Sequence, residues 1–190
     1  NIVHHFCTNE QYKNCNDSGR AAETRALMKQ YKGANIIKAH AGQILKIGGA
    51  KIEVLCTSGD LEPYTLQDHN TSSVVFRVTA QDNSVLVLGD ASYITCSYLV
   101  KAFGDYLKSD MVQLAHHGYA GGTIALYEKV DADVLLWPGG VGGFDGGLEP
   151  QNLKNRETNA VAISLAKEVY VAGESVFTFV MPYIPKDTDK

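Results

Sequence analysis

Short apolar runs broken by polar and glycine-rich stretches dominate the chain, and their spacing switches between strand-like and helix-like. Ile2 to Phe6 is long enough for one strand and leads into an Asn-rich polar loop from Thr8 to Asp17. Ser18 has the chemistry of a helix cap. Ala22, Leu27, Met28 and Tyr31 then recur at roughly helical spacing, up to a Gly33 placed where a glycine stops a helix. From Asn35 to Cys56 the pattern turns to β-type runs at Ile36 to Lys38, Gln43 to Ile47 and Lys51 to Cys56, with the Gly48-Gly49 pair marking a hairpin. A second hairpin is expected from Ser72 to Thr79 and Ser84 to Leu88 around the polar turn Gln81-Asp82-Asn83.

The second half alternates. Leu99, Val100, Phe103 and Leu107 share one face of a helix expected over Tyr93 to Leu107. A strand at Met111 to Ala115, a helix at Thr123 to Lys129 and a strand at Val134 to Trp137 follow. A helix at Glu157 to Lys167 and two strands, Val169 to Ala172 and Val176 to Met181 around Gly173, complete the pattern. Hairpins followed by alternating strands and helices predict an α/β fold, a sheet covered by helices. The stretch Gly139 to Gly147 reads as a flexible loop near the end of the sheet where a site would lie. No repeat and no linker divides the chain, so residues 1–190 are expected to form a single domain.

Composition narrows the function classes. A 45% hydrophobic fraction over 190 residues is enough for one packed core. With 17 Lys and Arg against 21 Asp and Glu, the net charge of -4 disfavours a general nucleic-acid surface. The longest apolar runs, such as Ser84 to Leu88, are far shorter than a membrane span, which predicts a soluble domain, cytoplasmic or extracytoplasmic. Cys7, Cys15, Cys56 and Cys96 form no CxxC pair, so no zinc knuckle or redox motif is written there. The chain opens on Asn1, which suggests a mature form or an excised piece.

Three groups of polar residues fall where a strand meets a loop, the place where α/β sheets present functional side chains. Asp68-His69-Asn70-Thr71-Ser72-Ser73 precedes an apolar strand and, taken alone, also fits a capped turn. Gly89-Asp90 follows Val85 to Leu88. A carboxylate placed there by a permissive glycine suits a cleft, although a simple turn reads the same way. His116-His117-Gly118 follows Met111 to Ala115. Adjacent side chains leaving a strand diverge, so one histidine is free to ligate a metal while the other meets substrate. His4, His5 and His40 lack an acidic companion at metal-site spacing and are left outside the site.

The combined order Asn70-x-x-Ser73-Val74-Val75-Phe76, Val85-Leu86-Val87-Leu88-Gly89-Asp90 and Val112-Gln113-Leu114-Ala115-His116-His117-Gly118 resembles the second half of the metallo-β-lactamase superfamily. It is most similar to the C-terminal hydrolase domain of DNA-uptake competence proteins and to phosphorylcholine esterases. The likeness runs from about Ile36 to Met181. It implies an αββα sandwich carrying one or two divalent metals, usually zinc. It also implies roles: Asp90 as the carboxylate bridging the metals, His117 as a metal ligand, His116 as the substrate-facing neighbour, and His69 as a further metal ligand ahead of its strand. Asp90 and His116 are then the catalytic residues.

The HxHxDH signature that supplies most ligands in this superfamily is not written in the chain. Two expectations follow: the chain is the C-terminal half of a longer enzyme, its sandwich incomplete, or it is a degenerate member. The resemblance implies hydrolysis of a phosphodiester or another small ester by a metal-bound hydroxide. With so few ligands the chain alone is expected to be inactive and to hold metal weakly or not at all. Half a sandwich leaves an apolar sheet face, for which a homodimer is one cover. The rival expectation is a non-catalytic interaction module that keeps the fold without the metal site. A flavodoxin-like nucleotide binder is disfavoured because no GxGxxG or P-loop pattern follows any strand.

Overall fold

The computed structural model describes residues 1–8, 11, 18–61, 66, 69–139, 153–172 and 175–186. Most of the Asn-rich loop, Cys15, Asp68, the glycine-rich stretch from 140 onward and the Gly173 turn lie outside the described residues. The chain adopts the mixed α/β class that its pattern predicts. Nine strands are described: β1 (Ile2–His4), β2 (Ile36–Lys38), β3 (Ile44–Ile47), β4 (Ala50–Cys56), β5 (Val75–Ala80), β6 (Asn83–Val87), β7 (Met111–Gln113), β8 (Val134–Trp137) and β9 (Glu168–Val171). Four α-helices are described with them: α1 (Ser18–Met28), α2 (Tyr93–Phe103), α3 (Ile124–Val130) and α4 (Leu153–Leu165).

β3 to β9 form one sheet in sequence order, while β1 and β2 make a separate parallel pair. Both hairpins use two-residue turns: Ile47 faces Ala50 across Gly48-Gly49, and Ala80 faces Asn83 across Gln81 and Asp82, both at positive φ. β6 to β9 are parallel, so each return requires a crossover. α2, α3 and α4 provide these crossovers. Their buried residues Cys96, Leu99, Leu126, Val130 and Ala162 share one core with Leu86, Leu88, Val112, Leu114, Leu135 and Trp137. Ser92 and Thr123 cap α2 and α3 by accepting from the amides of Thr95 and Leu126. α2 stops at Phe103 rather than running to Leu107, because Gly104 takes φ 50° and the last turn tightens into a 3-10 turn.

The opposite sheet face carries Ile52, Val78, Val85, Val87, Leu136 and Tyr170, all half-buried, with Met111 and Val134 fully buried among them. The pattern of Val176 to Met181 predicts a strand, yet this segment is not one in the structure. Side chains hold it in place of a ladder. Phe177 and Phe179 set their edges against Tyr170, each with ring centres 4.9 Å apart, and Tyr183 donates to Glu168 at 2.6 Å. Among the described residues no helix is long and apolar enough to cross a membrane.

Candidate functional site

The site is built where the neighbouring parallel strands β6 and β7 end. β6 runs out into Leu88-Gly89-Asp90, and Gly89 takes φ 57°, a conformation that costs a residue without Cβ little. The hydroxyl of Ser73, just before β5, accepts the Asp90 amide at 3.2 Å. β7 runs out into Ala115–Gly118, where His116 (φ 46°) and His117 (φ 55°) are both left-handed and Gly118 follows at φ 80°. Two successive histidines in this region carry a backbone cost, so the surroundings must hold them there.

They do so group by group. The Ala115 amide donates to the buried Tyr127 hydroxyl at 3.1 Å, and the His116 amide to the Gly89 carbonyl at 2.9 Å. The indole N–H of Trp137 donates to the His117 carbonyl at 2.9 Å, and the Asn159 amide to the Gly118 carbonyl at 2.8 Å. The turn projects the two imidazoles apart, with ring centres 6.3 Å distant. His117 turns to Asp90, its Nε2 lying 3.2 Å from Oδ1, and the two side chains are 43% and 38% exposed, open to a solvated ion. His116 turns to Asn70, whose Nδ2 lies 3.3 Å from its Nε2.

Three of the four residues singled out from the sequence therefore gather at one end of the sheet: Asp90, His116 and His117. His69 does not complete a three-ligand group with Asp90 and His117, and no three His, Cys, Asp or Glu side chains among the described residues converge as a metal site. The reason is local. A 3-10 turn over Asn70–Ser72 begins directly after His69, and the Ser72 hydroxyl donates to the His69 carbonyl at 2.6 Å. It is Asn70 that reaches His116. His69 lines a separate cleft of about 550 Å³ with His4, His5, Phe6 and Met28. His4 and His5 thus do have a histidine neighbourhood. There His5 Nδ1 meets the Ala39 carbonyl at 2.6 Å, and burial, with His5, Lys38 and Arg25 adding to it, lowers the pKa of His4.

Ser73, Trp137, Tyr127 and Asn159 escaped sequence reasoning as supports. Ser73 alone had a signal, its place in the Asn70-x-x-Ser73 spacing. Asn159 comes from α4, far along the chain, and nothing local marks it.

No protein-family model and no curated protein matches the sequence. Among solved structures, the metallo-β-lactamase fold protein YhfI from Bacillus subtilis is similar at 16% identity and a TM-score of 0.44, over 80% of this chain and 59% of that one. CmlA, a diiron β-hydroxylase from Streptomyces venezuelae, is similar at 12% identity and a TM-score of 0.49, over 77% of this chain and 35% of that one. The chain thus spans less than two thirds of the length of either.

Proposed function

We propose that Asp90 and His117 are part of a divalent-cation site, and that the chain belongs to a metal-dependent hydrolase of the metallo-β-lactamase superfamily acting on a phosphodiester or another small ester. The observation that carries this reading is the 3.2 Å approach of Asp90 Oδ1 to His117 Nε2 at the carboxyl ends of two parallel strands. In donor type the pair suits zinc, which takes imidazole nitrogen and carboxylate oxygen. In donor number it supplies two of about four. A cation bound there contributes Lewis acidity that brings the pKa of water toward neutrality. The chain's own residues orient the reactants: Asn70 fixes the ring of His116 beside the pair, and the Trp137 and Gly89 bonds hold the histidine turn open to solvent.

Two donors bind weakly, so this chain alone should take up zinc with low affinity and turn over ester at background rate. Calorimetric titration of the chain with Zn²⁺ tests the reading. Uptake that Asp90→Ala abolishes supports it, and no uptake at millimolar Zn²⁺ removes it.

One observation favours the second reading, a non-catalytic interaction module: the apolar face on which Val78, Val85, Val87 and Leu136 are only half-buried. On that reading a second copy of the chain covers the face. Sedimentation equilibrium would then give a dimer indifferent to Asp90→Ala, with no zinc uptake.

A further inference from the structure

Gln113 is the last residue of β7, and its side-chain amide crosses to the loop that follows β6. Oε1 accepts from two successive amides, Leu88 at 3.0 Å and Gly89 at 2.7 Å. Nε2 donates to the Leu114 carbonyl at 2.6 Å and to the Gly89 carbonyl at 3.3 Å. The β6–β7 ladder itself extends only to Leu86 and Val112. Beyond it the two strands part into the loops that bear Asp90 and His117, where the His116 amide donates to the Gly89 carbonyl at 2.9 Å. The Gln113 amide supplies the further bonds that join them. It has an acceptor and a donor on one planar group, which is what a backbone peptide offers and what few side chains reproduce.

We infer that Gln113 is a positioning residue that sets the separation of Asp90 from His117. Gly89 immediately precedes Asp90, and both of its polar groups are held. Its N–H goes to Gln113, and its C=O takes the Gln113 amide together with the His116 amide at 2.9 Å. With both peptide planes around Gly89 tied to β7 and its following turn, little but the torsions of Asp90 itself remains to place the carboxylate. The same amide is bonded to the Leu114 carbonyl, so the clamp reaches the root of the histidine turn as well. The importance of the clamp rests on the reading of Asp90 and His117 as a functional pair; its existence does not.

The test uses the metal-free full chain, labelled with ¹⁵N, and compares wild type, Gln113→Met and Gln113→Glu. Methionine keeps the length of glutamine and neither hydrogen-bonding half, whereas glutamate keeps the acceptor and loses the donor. In Gln113→Met the Leu88 and Gly89 amides should exchange roughly tenfold faster or more. The ring ¹⁵N resonances of His117 should move toward those of an Asp90→Asn chain, in which the carboxylate is gone. Gln113→Glu should retain the protection of the two amides and lie between wild type and methionine at His117, and it carries the comparison if the methionine variant does not fold. Ring resonances of His117 that coincide with wild type in every folded variant would overturn the inference, because the amide would then brace only the loop. Zn²⁺-induced shifts at His117 form a separate arm. If wild type shows none, the cation reading fails while the ring comparison still decides the role of Gln113.

Discussion

Asp90 Oδ1 and His117 Nε2 lie 3.2 Å apart although helix α2 and strand β7 intervene between them in the chain. Parallel pairing of β6 and β7 brings about the meeting, since it puts the ends of both strands on the same side of the sheet. The pair is more than a third exposed, so as a bare ion pair it would add little to stability. Its weight lies in chemistry. In a Zn²⁺ titration, Asp90→Asn and His117→Ala should each abolish the heat of binding. His69→Ala should leave it unchanged, because His69 sits in the cleft with His4 and His5. Loss of binding in His69→Ala with retention in His117→Ala would reverse the assignment.

Gly118 cannot be replaced cheaply. It takes φ 80°, and a Cβ there would come within 2.8 Å of Trp137 Cε2 and 2.9 Å of Leu114 Cδ2, both on fully buried side chains. Strain and overlap act together, so Gly118→Ala should lower the unfolding free energy by roughly 3 kcal/mol or more. Urea unfolding followed by circular dichroism checks this. A change under about 0.5 kcal/mol, the range of ordinary surface substitutions, would mean the histidine turn tolerates displacement of Trp137.

What was legible in the sequence follows from which signals are local. Gly48-Gly49 and Gln81-Asp82 lie at the hairpin turns because turn chemistry needs no distant partner. The gathering of Asp90, His116 and His117 was legible because a strand end marks each, and parallel strands bring such ends together. His69 was not, since the direction it takes depends on a single 3-10 turn that a run of Asn, Thr and Ser does not announce. Val176 to Met181 has the composition of a strand, yet Tyr170 takes its phenylalanines edge-on, and rings replaced the ladder. The amide of Gln113 was invisible for a third reason: an uncharged residue at a strand end has the same letter whether it faces solvent or ties two loops together.

Away from the site, Glu53 on β4 accepts from Arg77 at 3.0 Å and from the Tyr106 hydroxyl at 2.7 Å, and Arg77 is only 8% exposed. Burial alone would raise the Glu53 pKa, but the Tyr106 and Arg77 hydrogen bonds outweigh it and hold the carboxyl below its usual range. A carboxyl depressed in the folded state stabilises fully above its unfolded pKa and loses that contribution as pH falls through the folded value. Glu53→Gln should therefore cost about 2 kcal/mol at pH 7, chiefly by leaving the Arg77 charge without its partner. The gap between the two proteins should close as pH is lowered below about 4. Denaturant midpoints at the two pH values give the answer, and a gap that persists unchanged in acid would exclude Glu53 ionisation as its source.

Cys56 and Cys96 face each other's surroundings at the junction of β4 and α2, both with no solvent exposure. Burial pushes each thiol up to about 12, with Asp60 and Cys96 adding to the effect at Cys56. Only thiolate alkylates or ligates metal, so a thiol held that far above its ordinary range is inert at pH 8. Iodoacetamide at pH 8 should leave both cysteines unmodified in the native chain and label both in guanidinium chloride, as read by peptide mass spectrometry. The same burial separates the thiols from any cation chemistry. A Cys56→Ser, Cys96→Ser chain that still folds should take up Zn²⁺ as the wild type does. Stoichiometric native labelling of Cys96, or zinc uptake lost with the two thiols, would move the candidate site off the end of the sheet and into its core.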